Sequence, residues 1–136
     1  MAIPNVGGGE QIGDGNANEV RLGSQGAPAT LTTTATITAA QLATGILLGS
    51  PSTSAASYTL PTVALWEALV GNAHNDSAFD FSITNVDGSS SGVITLVVGT
   101  GWTLVGLVTL AATAGTSGMW RARKTGDGAW TAYRRA

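Results

Sequence analysis

From Ala78 to the C-terminus, short apolar runs end in a turn signal about every ten residues, and that spacing fits strands and little else. In "AFDFSITN", Phe79, Phe81 and Ile83 alternate with Asp80, Ser82 and Thr84, the period-2 pattern of a strand with one face inward. "VDGSSSG" follows as a turn carrying an Asp-Gly pair. The runs "VITLVVG", "TGWTLVG" and "LVTLAA" come next, and "TAGTSG" links them to "MWRARK". "TGDG" then turns the chain into "AWTAYR", which predicts a terminal hairpin. Six short strands in this half point to an all-β sandwich, jelly roll or small barrel.

The middle of the chain adds about two strands and a helix. "LTTTATIT" is β-branched, and "AAQLATG" suits one helical turn closed by Gly45. "ILLGS" reads as a short buried strand, "PSTSAAS" as a loop, and "YTLP" as extended, because the residue before Pro61 avoids the helical region. "TVALWEALVGN" is the best helix candidate, with Thr62 as N-cap and Gly71 or Asn72 as the stop. Val63, Trp66, Leu69 and Val70 are its expected apolar face. The expected fold is all-β: a jelly-roll-like sandwich or small barrel of about eight strands, with one short helix.

Residues 1–29 differ from the rest. They are rich in Gly, Asn and Pro, and their apolar residues follow no strand or helix period. Such a stretch cannot bury enough surface alone to offset its ordering entropy. The chain therefore divides into an extended N-terminal arm, residues 1–29, and a β domain, residues 30–136. The arm's expected partner contacts are Ile3, Pro4, Asn5, Val6, Val20, Arg21 and Leu22.

Composition narrows the function. The chain is 43% hydrophobic but only 10% charged, against about 25% charged in an average domain. Mean hydropathy is +0.22, yet no apolar run approaches the roughly 20 residues of a spanning helix, so no membrane role is expected. Low charge fits either burial in an assembly or a Thr/Ser-rich β surface, and assembly is the expectation. Net charge is −2, which does not steer the chain towards nucleic acid. Of its six basic residues, only Arg21 lies outside the C-terminal segment. Arg121, Arg123, Lys124, Arg134 and Arg135 form an expected basic edge, which either guards against strand pairing or meets an acidic partner. Cysteine is absent, which excludes disulfides and thiolate metal sites. "MAIPNVGGGE" has neither a basic n-region nor an apolar h-region, so no signal peptide is expected, and the "NDS" sequon at Asn75 is read as coincidence.

No motif carries chemistry. Asp14, Asn16 and Asn18 imitate the start of a calcium loop, but position 6 is Glu19 and position 12 is Gln25 where Gly and Glu are required. "GGGEQIG" matches neither phosphate-binding glycine pattern and has no nearby Lys. His74 is the one imidazole base, in a loop with Asp76 and no nucleophile-elbow sequence. Glu67 and Asp80 are weak candidates for a carboxylate pair. Catalytic, metal and cofactor residues are therefore expected to be none. Trp66, Trp102, Trp120 and Trp130 read as core, with Trp120 and Trp130 facing each other across the terminal hairpin beside Ala122 and Ala132. Exposed, they would suit sugar stacking or a subunit contact.

Two long segments carry a resemblance. "YTLPTVALWEALVGNAHNDSAFDFSITNVDGSSSGVITLVVGTGWTLVG" and "SGMWRARKTGDGAWTAYRRA" resemble small β-rich virion proteins of tailed bacteriophages, namely capsid decoration (cement) proteins and related head-fibre domains. The shared features are a "TLP" entry to a short helix, a Phe-Asp-Phe strand, a "GWTLVG" strand and the Arg- and Trp-bearing hairpin. In the Phe-Asp-Phe strand, Ala78 is an extra residue after Asp76 and Ser77. The arm is similar to the leading segment of such proteins. The resemblance implies a non-enzymatic role on the outer surface of the virion head. The implied partners are the major capsid protein and further copies of the chain, as a trimer by preference or a dimer. A fibre or tail module that binds a host receptor or glycan is the alternative.

Overall fold

The chain does not return on itself hairpin by hairpin until its last two strands. The computed structural model describes residues 22–136. In order, the elements are β1 (Ala29–Leu31), β2 (Ala35–Thr36), α1 (Ala39–Ala43), β3 (Ile46–Gly49), β4 (Ala56–Thr59), α2 (Val63–Leu69), β5 (Ala78–Asn85), β6 (Ile94–Val97), β7 (Trp102–Val105), β8 (Thr109–Leu110), β9 (Ser117–Gly126) and β10 (Ala129–Arg134). One sheet, A, has the order β1-β3-β5-β9-β10-β7, and the other, B, has β2-β4-β6-β8. Up to β9, successive strands therefore alternate between the two sheets. This winding makes β1, β3 and β5 parallel in A, and β2, β4 and β6 parallel in B. β7 is also parallel to β10.

The fold is mostly β, in two sheets with a small helical part, consistent with a β-sandwich. Among the described residues each sheet keeps two free ends, so neither closes into a barrel. Among the described residues two helices form, α1 where one helical turn was expected and α2 where the short helix was. The β-branched run "LTTTATIT" does not stay in one strand either. It bends at residues 32–34 and contributes β1 to one sheet and β2 to the other.

Both helices sit on crossovers and are fixed by threonine caps. The Thr38 hydroxyl accepts from the Gln41 N–H at 3.1 Å, and the Gln41 side chain accepts from the Thr38 N–H at 2.9 Å, a capping box. Gly45, at φ 76°, closes α1 as the sequence suggested. Thr62 caps α2 through the Leu65 N–H. Val63 and Trp66 are the face of α2 that is buried, while Leu69 is 51% exposed. An i+6 position lies about 240° around a helix from i, so Leu69 falls outside the stripe that i and i+3 define.

One core joins both sheets. Sheet A supplies Leu47, Phe81, Ile83, Trp120, Ala122 and Trp130, and sheet B supplies Tyr58, Ile94, Leu96 and Leu110. A line of aromatic rings runs through it: Trp102 to Trp130 at 5.8 Å, Trp130 to Phe79 at 5.9 Å, Phe79 to Phe81 at 5.8 Å, and Phe81 stacked on Trp120 at 5.5 Å. Trp120 and Trp130 share a face but do not oppose each other. Ala122 faces Ala132, while Trp120 faces Arg134 and Trp130 faces Lys124, with a bulge beside Ala129. That register places Lys124 and Arg134 on the inward face, at its two ends.

The crossover from β5 to β6 turns on Asn85, which is fully buried. Its Nδ2 donates to the carbonyls of Gly92 and Ala111, both at 3.0 Å, and its Oδ1 accepts from the Gly88 N–H at 2.7 Å. The Asp-Gly pair predicted as a turn thus leads the chain from sheet A to sheet B and is held from inside.

Candidate functional site

Three surfaces bear on function: the charged outer face of sheet A, the open side formed by β7 and β8, and a groove beside α2.

The expected basic edge is divided by the sheet. Arg121, Arg123 and Arg135 belong to the outer face. Arg121 meets Asp80 through two hydrogen bonds of 2.7 and 2.8 Å, and Arg135 lies 3.8 Å from the same carboxylate. Arg123 bonds Asp76 at 2.7 Å and the Tyr133 hydroxyl at 3.1 Å. Lys124, whose side chain is 11% exposed, reaches Glu67 at 2.9 Å. Arg134 lies over the Trp120 ring at 4.7 Å and donates to the Leu107 carbonyl at 2.9 Å. All five residues are engaged within the fold, and the period of two puts Lys124 on the face of Trp120 and Ala122 and Arg134 on that of Trp130 and Ala132.

Glu67 and Asp80 do not share a cleft. Glu67 binds Lys124 and the Trp130 Nε1–H from the inner side of sheet A, while Asp80 belongs to its outer face. The Arg121 guanidinium holds the Asp80 carboxyl below its ordinary range. Hydrogen bonds from Lys124 and then Trp130 do the same for Glu67. A depressed carboxylate stabilises the fold fully above its unfolded pKa of about 4, and that stabilisation is lost as pH falls through the lower folded value. The urea midpoint should therefore hold steady from about pH 7 to 5 and drop on further acidification. Asp80→Asn should flatten the drop. Identical acid limbs for the variant and the parent would rule out a contribution from the Asp80–Arg121 pair.

His74, Asp76 and Ser77 share one turn but do not form a relay. The Ser77 hydroxyl accepts from the His74 main-chain N–H at 3.0 Å, and His74 Nδ1 lies 2.9 Å from the Asn75 carbonyl. Asp76 is taken by Arg123. No group of three His, Asp or Glu side chains able to hold a metal ion occurs among the described residues. No helix among them is long and apolar enough to cross a membrane. The calcium-like Asp14, Asn16, Asn18 and Glu19 lie outside the described residues. So do the arm contacts Ile3, Pro4, Asn5, Val6, Val20 and Arg21. Leu22 is described, and it is 91% exposed.

The open side carries a signal in the sequence. No charged residue occurs between Asp87 and Arg121. That stretch forms β6, β7 and β8, and β7 and β8 are terminal strands of their sheets joined by residues 106–108. Val98, Val105 and Leu107 are exposed there, at 44%, 48% and 65%. Edge strands in soluble proteins are normally guarded by charge, proline or a covering segment.

The third surface is a groove of about 390 Å³ beside the C-terminal end of α2. Trp66, Phe79 and Trp130 form its aromatic lining, with Ala43, Val70 and Ala73 around them. Asn72, His74 and Ser77 add polar groups. Apolar lining with a few polar groups is the usual make-up of a binding site. No protein-family model, curated protein or solved structure matches the chain.

Proposed function

We propose that the protein is a structural virion component, a decoration (cement) protein on the outer surface of a tailed-phage head that strengthens contacts between major capsid protein subunits. The observation that carries this reading is the uncharged open side made by β7 and β8. Strands with no charged residue of their own and with exposed Val98, Val105 and Leu107 suit lasting contact with a neighbour better than exposure to water, the Arg134 guanidinium beside them being taken by the Leu107 carbonyl. The ion pairs of the outer face support the same reading, because they occupy Arg121, Arg123 and Arg135 within the fold and leave the open side as the surface for a partner. The N-terminal arm adds main-chain contacts to the shell. Weak contacts of this kind become strong when a homotrimer or homodimer engages several capsid subunits together.

The jelly-roll likeness plays no part in the reading. Among the described residues five of the eight strand pairings are parallel, whereas jelly rolls are antiparallel. The receptor- or glycan-binding alternative would draw on exposed tryptophans, and all four are buried in the core.

Deletion of residues 2–21 leaves β1 and its pairing with β3 in place. The truncated protein should keep its thermal midpoint and lose binding to expanded capsids by at least about 100-fold, as expected when a second point of attachment is removed. Co-sedimentation with purified capsids measures this. Undiminished decoration by the truncated protein would remove the arm from the proposal. Failure of the intact protein to bind any capsid would remove the proposal itself.

A further inference from the structure

We propose that the groove beside α2 takes the Leu22 segment of a second copy of this chain. Two features of one molecule match and are not joined to each other. The first is the groove, apolar at Trp66, Phe79, Val70 and Ala73. The second is Leu22, the most exposed large apolar side chain among the described residues, at 91%.

Their positions make the mismatch informative. Three residues after Leu22, the Gln25 side-chain amide donates to the Thr44 carbonyl at 2.6 Å, directly beside Ala43 on the groove wall. The chain therefore leaves the domain next to the groove, within about 10 Å by the extended-chain rise. Leu22 nevertheless stands in the open. Residues 1–21 continue from it, with Val20 the nearest further apolar residue and Gly23 allowing close approach of the main chain. Asn72 and His74 provide polar groups for an extended main chain lying along the groove.

A projecting apolar residue and an apolar hole on different parts of one surface make a heterologous contact. Each copy gives Leu22 to one neighbour and receives it from another, and a closing rotation turns this into a ring. The chain carries both halves of the contact, which selects a second copy over a foreign partner. This deepens the homo-oligomer element of the proposed function, but it concerns the purified protein and does not depend on capsid binding.

The test is the native mass of the intact protein and of Leu22→Asp at matched concentrations of tens of micromolar. Leu22 is 91% exposed within its own chain, so its replacement should leave the domain folded, its thermal midpoint lowered only by what self-association adds. The parent should be oligomeric. Leu22→Asp should weaken self-association about 10- to 100-fold, the loss expected for one buried leucine, and run as a monomer. Ala73→Glu, on the groove, should give the same result. A monomeric parent would overturn the inference, as would an oligomer that survives Leu22→Asp. If that surviving oligomer also stops binding capsids, the segment belongs to the capsid contact, and the proposed function stands while this inference falls.

Discussion

Replacing Asn85 with alanine should lower the stability of the domain by about 3–4 kcal/mol and its thermal midpoint by about 10–20 °C. The side chain is fully buried and forms three hydrogen bonds, all to main-chain groups. Alanine leaves the Gly92 carbonyl and the Gly88 N–H without their partner, while the Ala111 carbonyl keeps the Thr113 N–H at 2.8 Å. Each buried polar group stranded in this way costs about 1–3 kcal/mol, and relaxation or entry of water recovers part of the total. The effect should also be cooperative, because Asn85 ties together three stretches of chain: the end of β5, the approach to β6, and the segment after β8. Its own main chain adds two more ties, to Thr116 at 2.8 Å and Gly115 at 2.7 Å. Ser91→Ala, at an exposed position of the same crossover, should stay within about 0.5 kcal/mol of the parent. Chemical denaturation of the three proteins decides the matter. An Asn85→Ala midpoint close to that of Ser91→Ala would mean that the crossover does not rely on this side chain.

Asn85 also marks the limit of what the sequence made legible. The alternation in β5 correctly assigned Phe79, Phe81 and Ile83 to one face and Asp80, Ser82 and Thr84 to the other, because a period of two leaves no choice of face. Threonine before an apolar run correctly located the start of α2, since the cap is a local interaction. The β9–β10 hairpin followed from its turn for the same reason. Which sheet a strand joins is not a local property. An inward-facing residue reads the same in either layer, so the alternating winding and the parallel pairings were hidden. Register was hidden as well. A bulge beside Ala129 set Trp130 against Lys124 and Trp120 against Arg134, while the period of two had already put both cations on the inward face, Lys124 with Trp120 and Ala122, Arg134 with Trp130 and Ala132. The groove unites Ala43, Trp66 and Trp130 from distant parts of the chain, and no spacing rule connects them. The uncharged stretch before Arg121, by contrast, was plain in the sequence. Its meaning depended on knowing that it supplies terminal strands to both sheets.

The largest single loss should come from Trp120→Ala, about 3–5 kcal/mol, and a series of phenylalanine replacements should show how much of each tryptophan's worth is polar. Trp120 is 1% exposed, stacked on Phe81 and covered by the Arg134 guanidinium. Alanine would open a cavity on one side and remove the aromatic face beneath a cation on the other. Trp120→Phe keeps most of the apolar volume. The Trp120 Nε1–H has no hydrogen-bond partner among the described residues, and neither has that of Trp66. Their phenylalanine variants therefore strand no acceptor. Trp102 differs, because its Nε1–H donates to the Pro61 carbonyl at 2.7 Å where the chain enters α2. Trp102→Phe would leave that carbonyl unpaired in a buried place, so it should cost about 1–3 kcal/mol more than Trp120→Phe, although each removes the same atoms. Urea unfolding of the four single variants separates the two contributions. Equal losses for Trp102→Phe and Trp120→Phe would show that ring volume alone sets the value of these tryptophans. Unequal losses in the stated order would place the entry to α2 under the control of one indole hydrogen bond, at the wall shared by the helix and the strand that begins the open side.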